Sequence, residues 1–532
     1  MRGTWLALAL VASATPAVAQ ERVRIAVTPY VEVGQLFDAD LSGGDVLTYT
    51  SLAAGVDVAA NTARVSGQLS YRYERRIAWD DRVGDSDFHS GLARVTARVA
   101  PGLSIEAGGI ATRARADIRG AAPGVLIGNT DNISQVYAVY GGPRYAANIG
   151  PIALGASYQA AYTKVRAPGG VALATGQRRF DRYDDSLGHV AGISAGVAPN
   201  TLLPVGLTAS AGYEREDAGQ LDARYEGYHL RGDVLAPVAP TVALVAGAGY
   251  ERIETSQRDA LRDATGAVAT DPDGRFVVDP ASPRRIAYRT DGVYYDAGVV
   301  WRPNRRTSIE ARVGRRYGST SYTGTVTYQA SPRVGLAANV YDSVTTFGQQ
   351  LRGGIGNLPT SFVAARDSFT QQYNGCVYGT TGATPGGCLN NVFQSISTAS
   401  YRARGADAVL SATRGRATFG GGVGYANRKL YAPDSAAGVI VSGLDDESFY
   451  GQLFYRRTLS PAAAVDATLF ANYYVPGQIS GGDVFSYGST VSYGHAFGRL
   501  TTTASIGVYA FDTEIVDTQW SAQALVAARY SF

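Results

Sequence analysis

The sequence predicts an all-β fold: a single transmembrane, antiparallel up-and-down β-barrel of about 22 strands, within a range of 18–24, even in number and with no separate plug domain. Three observations predict it. The chain ends on an amphipathic strand. Its composition suits strands and tight turns rather than membrane helices. Long polar connections alternate with short turns along its whole length.

The C-terminal stretch Thr518–Phe532 carries the first observation. Trp520, Ala522, Ala524, Val526, Ala528, Tyr530 and Phe532 share one parity and are apolar or aromatic. Gln519, Ser521, Gln523, Arg529 and Ser531 share the other and are polar, with Leu525 and Ala527 as exceptions. Period-2 alternation puts side chains on opposite faces of a strand, one for lipid and one for the lumen. The ending resembles the C-terminal signature of bacterial outer-membrane barrels, in which Tyr530 and Phe532 would form the assembly signal read by the outer-membrane barrel assembly machinery. The edge strand of a soluble sandwich also alternates, so the remaining strands must decide.

The 532 residues include 64 Gly and 34 Tyr, but only 4 His, 2 Cys and 1 Met. Charged residues make up 17%, below the roughly 25% of an average soluble domain. A net charge of +3 without a basic stripe excludes a nucleic-acid partner. Arg2, the apolar run Trp5–Ala12 and Ala17-Val18-Ala19 predict a signal peptide over 1–19, leaving 20–532 as the barrel. No Cys follows the cleavage site, so a lipoprotein signal is not expected. Past residue 20 no stretch approaches the roughly 18 apolar residues of a membrane helix. An exported chain of strands then has one membrane solution, a closed barrel, placed in the bacterial outer membrane with lipid and lipopolysaccharide around it.

In chain order, Val23–Phe37 reads as the first strand, Asp38–Asp45 as a loop and Val46–Ala59 as the return. Asn61-Thr62 turns, Arg64–Ile77 goes out, Ala78–Asp87 is an acidic loop, Phe88–Val99 returns and Pro101-Gly102 turns again. Later short turns carry Pro, Gly or Asn, as at Asn148–Pro151, Pro199–Pro204, Pro237–Pro240, Pro303-Asn304, Ser331-Pro332, Arg414–Arg416, Ser460-Pro461 and Gly498. Proline cannot donate to a ladder, so these mark turns, assigned to the periplasmic side. Connections near 118–131, 166–186, 256–285, 347–396 and 431–445 are richer in Asp, Gly, Arg and Ser and are assigned to the extracellular side. Ser321–Ala330, Arg333–Tyr341, Val205–Glu214 and Val465–Val475 alternate most clearly; 133–149 and 396–413 are weaker. The first strand follows the signal almost directly, which argues against a TonB-dependent receptor. A barrel this wide needs something to narrow it, and loops are expected to do so.

Both cysteines, Cys376 and Cys388, lie in the longest connection and bracket a Gly-rich segment. Export to an oxidising compartment makes a disulfide the natural reading, with a metal site or free thiols as alternatives. The connection and its flanks also carry a family resemblance. Leu358–Val363, Asn374-Gly375-Cys376, Gly387-Cys388-Leu389 and Ser400–Gly405 resemble the central region of an uncharacterised outer-membrane β-barrel family associated with the PEP-CTERM/exopolysaccharide system. Trp301-Arg302-Pro303 and Leu459-Ser460-Pro461 fit the same group. The resemblance implies an outer-membrane protein linked to exopolysaccharide production or secretion. It implies polysaccharide or polysaccharide-export proteins as partners, and brings no catalytic residues.

Strand parity places Arg64, Arg72, Glu74, Arg94, Arg98, Glu106, Glu214, Arg231, Asp233, Glu310, Arg312, Arg316, Asp466 and Arg529 on the lumen face. These residues suit a water-filled passage with mixed-charge walls, and the Arg excess suits anionic solutes such as acidic sugars. The alternative is a network of Arg–carboxylate pairs in a closed barrel. His89, His189, His229 and His495 are isolated, with His229 on the lumen parity, and no motif makes any of them catalytic. No enzyme, cofactor or metal is therefore expected, an outer-membrane hydrolase being the weakest reading. Asp80-Asp81, Asp271/Asp273 and Asp445-Asp446 match no Ca²⁺ loop and read as solvated loop charge. Tyr71, Tyr73, Tyr213, Tyr250, Tyr425, Tyr455, Tyr473 and Tyr493 read as girdle residues at the lipid–water boundary. The leading function is a channel or export component with a polar lumen; the alternative is a non-conducting docking barrel. An open, Arg-lined lumen marks the first. A lumen filled by 347–396 and by paired charges marks the second.

Overall fold

The computed structural model describes residues 24–79, 85–115, 133–166, 183–364, 366–373, 375–394, 396–433, 443–477, 482–514 and 517–532. The expected signal peptide, Asp80-Asp81 and the connection 118–131 lie outside them. Among the described residues 22 strands form one antiparallel sheet, from Arg24–Asp40 to Gln519–Ser531. Each pairs with its neighbours in the chain. The sheet closes on itself where the last strand pairs with the first, from Tyr30↔Ser531 to Asp40↔Ser521. Closure removes both sheet edges, as a membrane wall requires.

Alternation sets the two faces. Val526, Tyr530 and Phe532 point outward and are exposed, while Gln523 points inward and is buried against Asp38. Aromatics form two outward belts, as expected of girdles. Tyr71, Tyr73, Tyr213, Tyr250 and Tyr473 lie toward the long connections, while Trp301, Tyr328, Phe497 and Phe532 lie toward the short turns. The weaker segments are strands Ile133–Ile149 and Ser400–Arg414. Asp38–Asp40, expected in a loop, completes the first strand, because Asp38 and Ala39 keep ladder partners Leu47 and Val46.

The segment 347–396 departs from expectation. It begins and ends at the side of the long connections but folds into the lumen rather than outward. Its helix Phe347–Asn357 is N-capped by Thr346, whose hydroxyl accepts from the Gln349 N–H. A three-stranded sheet follows, formed by Phe362–Ala364, Cys376–Thr381 and Thr384–Cys388. The strands on either side of the insert, Val334–Thr345 and Ser400–Arg414, pair directly, with Thr345 opposite Tyr401.

The wall is not uniform at the end that carries the long connections. Strands Ser319–Ser331 and Val334–Thr345 are in register only from Gly324↔Val340 to Ser331↔Val334. Above Val340 the second strand turns inward. Tyr225 Oη donates to the Val344 carbonyl at 3.3 Å, Ser400 Oγ to Thr255 Oγ1 at 2.9 Å, and Tyr288 stacks on Tyr431 with centroids 4.3 Å apart. These partners belong to strands that are not ladder neighbours. The contacts therefore cross the lumen and divide that end of it into two lobes.

Candidate functional site

The larger lobe holds the insert, which touches the wall on three sides. Phe347, Leu351, Ile355, Leu389 and Phe393 are fully buried against Leu92, Ile110, Val136, Tyr140 and Val165 of the strands between Ser86 and Arg166. Tyr378 stacks on Phe454, with Val409 and Tyr450 alongside. Phe369 packs among Leu36, Tyr49 and Tyr509. Leu525, opposite Leu36 in the ladder, joins this last group, so an apolar residue on a polar parity is explained.

Polar contacts fill the gaps between the apolar seats. The Phe362 N–H donates to Gln68 Oε1 at 2.9 Å, and the Arg113 N–H to Gln372 Oε1 at 2.7 Å. Arg94 Nη2 donates to the Gly356 carbonyl at 3.0 Å, and Thr346 Oγ1 to Glu216 at 2.7 Å. From the opposite wall, Gln452 Oε1 accepts the Cys376 N–H at 2.7 Å, and Tyr509 donates to Asp367 at 2.6 Å. Cys376 and Cys388 are disulfide-bonded, directly opposite each other in the inner sheet. The two sulfurs lie against Gly422, where an added Cβ would sit 2.4 Å from one and 2.5 Å from the other.

The smaller lobe, lined by strands between Ala223 and Ser331, carries a closed set of charges. Arg231 reaches Asp233 at 2.8 Å and Asp296 at 2.7 Å; Arg312 reaches the same two carboxylates at 2.7 and 3.0 Å, and Glu310 at 2.6 Å. Register explains the arrangement. Asp233 lies opposite Gly247, and Gly247 opposite Asp296, so the missing side chain leaves room for Arg231 to bridge two strands. Arg316 reaches Glu251 at 2.6 Å. A cavity of about 340 Å³ borders this set, lined also by Tyr294, Ser321 and Thr323.

The other predicted lumen residues divide between the wall and the rim. Arg72 is buried between Glu32 and Glu74, and Glu74 also takes Arg76. Arg94 and Glu106 pair at 3.4 Å, Asp466 pairs with Arg456, and Arg529 pairs with Asp57 while lying over the Tyr30 ring. Glu214 is half-buried on the lumen face. Arg64 sits in the turn before its strand, and Arg98 is exposed beside it, its N–H donating to the Arg64 carbonyl. Both belong to the rim, because their strand ends there. Among the predicted lumen arginines, Arg72, Arg94, Arg231, Arg312, Arg316 and Arg529 each hold a carboxylate.

Several partners escaped the sequence reading: Glu32, Asp57, Glu251, Asp296 and the pairs Arg402–Asp342 and Arg428–Asp446. Asp446, expected at a loop tip, lies in a strand with no exposed side-chain surface and opposite Arg428. Only strand pairing reveals this, because parity alone does not say which residue lies opposite. The helix did leave a signal, since Phe347, Leu351 and Ile355 recur every four residues.

No family of known proteins and no curated protein matches the chain. Among solved structures it is similar to the ferric-catecholate import receptor Fiu from K12 E. coli, at 10% identity over 95% of this chain and 82% of that one, with a TM-score of 0.45. The FrpB iron transporter from Neisseria meningitidis, in its apoprotein form, matches at 10% over 95% and 81%, with a TM-score of 0.44. The siderophore receptor PirA from Acinetobacter baumannii matches at 9% over 95% and 80%, with a TM-score of 0.39.

His89, His189 and His495 face outward and bond to Tyr71, Tyr158 and Tyr493 at 2.7, 2.8 and 3.0 Å. His229 faces the lumen beside Gly212. No cluster of metal-ligating side chains occurs among the described residues. Asp271 and Asp273 both hold Arg275, at 2.9 and 2.7 Å, and Arg275 also reaches Asp184. Burial acts to raise the Asp271 carboxyl, but the Arg275 N–H and guanidinium outweigh it and hold the group below its ordinary range. Asp263 is lowered by the Thr265 hydroxyl and by the N–H groups of Ala267, Thr265 and Gly266.

Proposed function

We propose that the protein is an outer-membrane barrel with no open axial pore, serving in surface-saccharide production or secretion as a docking or gated component. The observation that carries this is the occupied lumen: an insert seated on three apolar patches in one lobe, and paired charges in the other. Magnitudes decide between a resident insert and a loose flap. Fully burying one large apolar side chain contributes about 1.5–3 kcal/mol. Phe347, Leu351, Ile355, Leu389, Phe393, Phe369 and Tyr378 are all buried, so spontaneous withdrawal is negligible. Opening requires binding energy from a ligand or partner. The saccharide context rests on the resemblance of 358–363, 374–376, 387–389 and 400–405 to the exopolysaccharide-associated family. The balanced charges suit neutral saccharides better than the acidic sugars first considered.

Liposome swelling with neutral sugars tests the closed state, and surface polymer assayed in a deletion strain tests the context. Sugar-impermeable vesicles bearing folded barrel, together with altered surface polymer, are expected. Rapid swelling with the wild-type protein would contradict the closed barrel. A gated passage has one observation in its favour. Thr345 and Tyr401 are ladder partners at the base of the insert, so the insert can leave without breaking the wall.

A further inference from the structure

We infer that the wall between strands Ser319–Ser331 and Val334–Thr345 is a lateral portal, through which an amphiphile of the outer leaflet places a neutral saccharide head in the lumenal cavity. The portal follows from the wall and its cavity, and does not require the axial lumen to open.

The seam between the two strands is sealed only over Gly324–Ser331. At about 3.3 Å per residue and a tilt near 40°, that covers roughly 20 Å of an apolar band about 25 Å tall. On the far side of the hairpin, strand Arg285–Asn304 loses its neighbour Thr307–Arg316 above Tyr295↔Arg315. The wall is therefore low on both sides of the turn at Tyr317-Gly318. Its outward rim is largely apolar: Val293 is 75% exposed and Tyr322 62%, with Tyr295 and Val340 also exposed and Arg315 beside Tyr295. Side chains of this kind belong at lipid level, where an open sheet edge must be covered.

Behind the rim lies the cavity. Its lining includes Arg231, Asp296 and Arg312 from the lumen face and Tyr295 and Val340 from the outward face, so it runs from the charge set to the rim. At about 340 Å³ it is in the range of small-molecule pockets. On the lumen face of the lining, Arg231, Arg312 and Arg316 are matched by Asp233, Asp296 and Glu310, three against three, while Arg315 shares the outward face of its ladder partner Tyr295. A charged head would enter such a site uncompensated. Sugar hydroxyls can donate to the carboxylates and accept from the guanidinium groups. An apolar rim continuous with a polar, electrically neutral cavity fits an acyl chain joined to a neutral sugar.

The test is photolabelling in phosphatidylethanolamine vesicles with an alkyl maltoside carrying a diazirine in its chain, adducts being mapped by mass spectrometry. Adducts should be enriched several-fold at Tyr295, Tyr322 and Val340 over Tyr213 and Tyr473 elsewhere on the outward face. Unlabelled dodecyl maltoside should remove the enrichment, and dodecyl phosphocholine should not. Thr323→Trp, which fills the cavity, should abolish it. Should that variant fail to assemble, Ser321→Cys reacted with a bulky maleimide blocks the same space. Even labelling around the barrel, equal competition by the phosphocholine, or enrichment that survives cavity blockade would each overturn the proposal.

Discussion

Gly422 shows how a residue without a side chain can fix a lumen. The Cys376 and Cys388 sulfurs occupy the space a Cβ there would need, and a covalently joined pair cannot step aside as one flexible side-chain tip could. Gly422→Ala is therefore expected to destabilise the seating of the insert by about 1–3 kcal/mol, the usual cost of overpacking. Urea unfolding of the reconstituted barrel reads this directly, and an unchanged midpoint would contradict it. Gly247 works differently, since it clears the path by which Arg231 spans two strands to Asp296. Neither role was legible in the sequence. Alternation identifies the face a glycine occupies, whereas only the register identifies what lies against it.

At the scale of elements, the insert and the long connection 256–285 make separate predictions. The disulfide closes a 12-residue separation within the inner hairpin, worth roughly 2–3 kcal/mol of local order in the chain-entropy account. Replacing both Cys376 and Cys388 by Ser should expose 376–388 to protease while the barrel keeps its resistance to heat and detergent. Loss of the folded barrel in the double variant would show that the hairpin does more than seat itself. In the connection, Asp263 and Asp271 are held below their unfolded values. Their contribution is complete above about pH 4, the ordinary carboxylate value, and is lost as pH falls through the lower folded values. Amide exchange in 261–277 should stay slow down to about pH 4 and quicken only below it. Quickening that begins near neutral pH would mean that other groups hold the connection.

For the whole molecule, the strands were the legible part. Turn residues such as Pro101-Gly102 and Ser460-Pro461 punctuate the chain, and strands such as Ser321–Ala330 alternate cleanly, because every wall residue faces one of two solvents. The destination of 347–396 was not legible as a whole. Its polar and Gly-rich composition resembles a water-facing loop, yet Phe347, Leu351, Ile355, Phe369 and Tyr378 are aimed at wall residues distant in sequence. The matching signals in the wall were small departures from alternation, such as Leu525, which gain meaning only once something fills the lumen. The predicted lumen charges lay mostly on the correct face, but their partners came from strands that parity does not connect, as Asp296 does for Arg231.

The central claim is that the chain closes its own barrel from within. Because Thr345 lies opposite Tyr401, residues 346–400 can be replaced by an Asn-Gly turn without interrupting the wall. The decisive measurement is single-channel conductance of the wild-type and shortened proteins in planar bilayers. The wild type should be silent, and the shortened barrel should show large, steady, ohmic steps. Steady large conductance from the wild type, or silence from a correctly folded shortened barrel, would contradict the account.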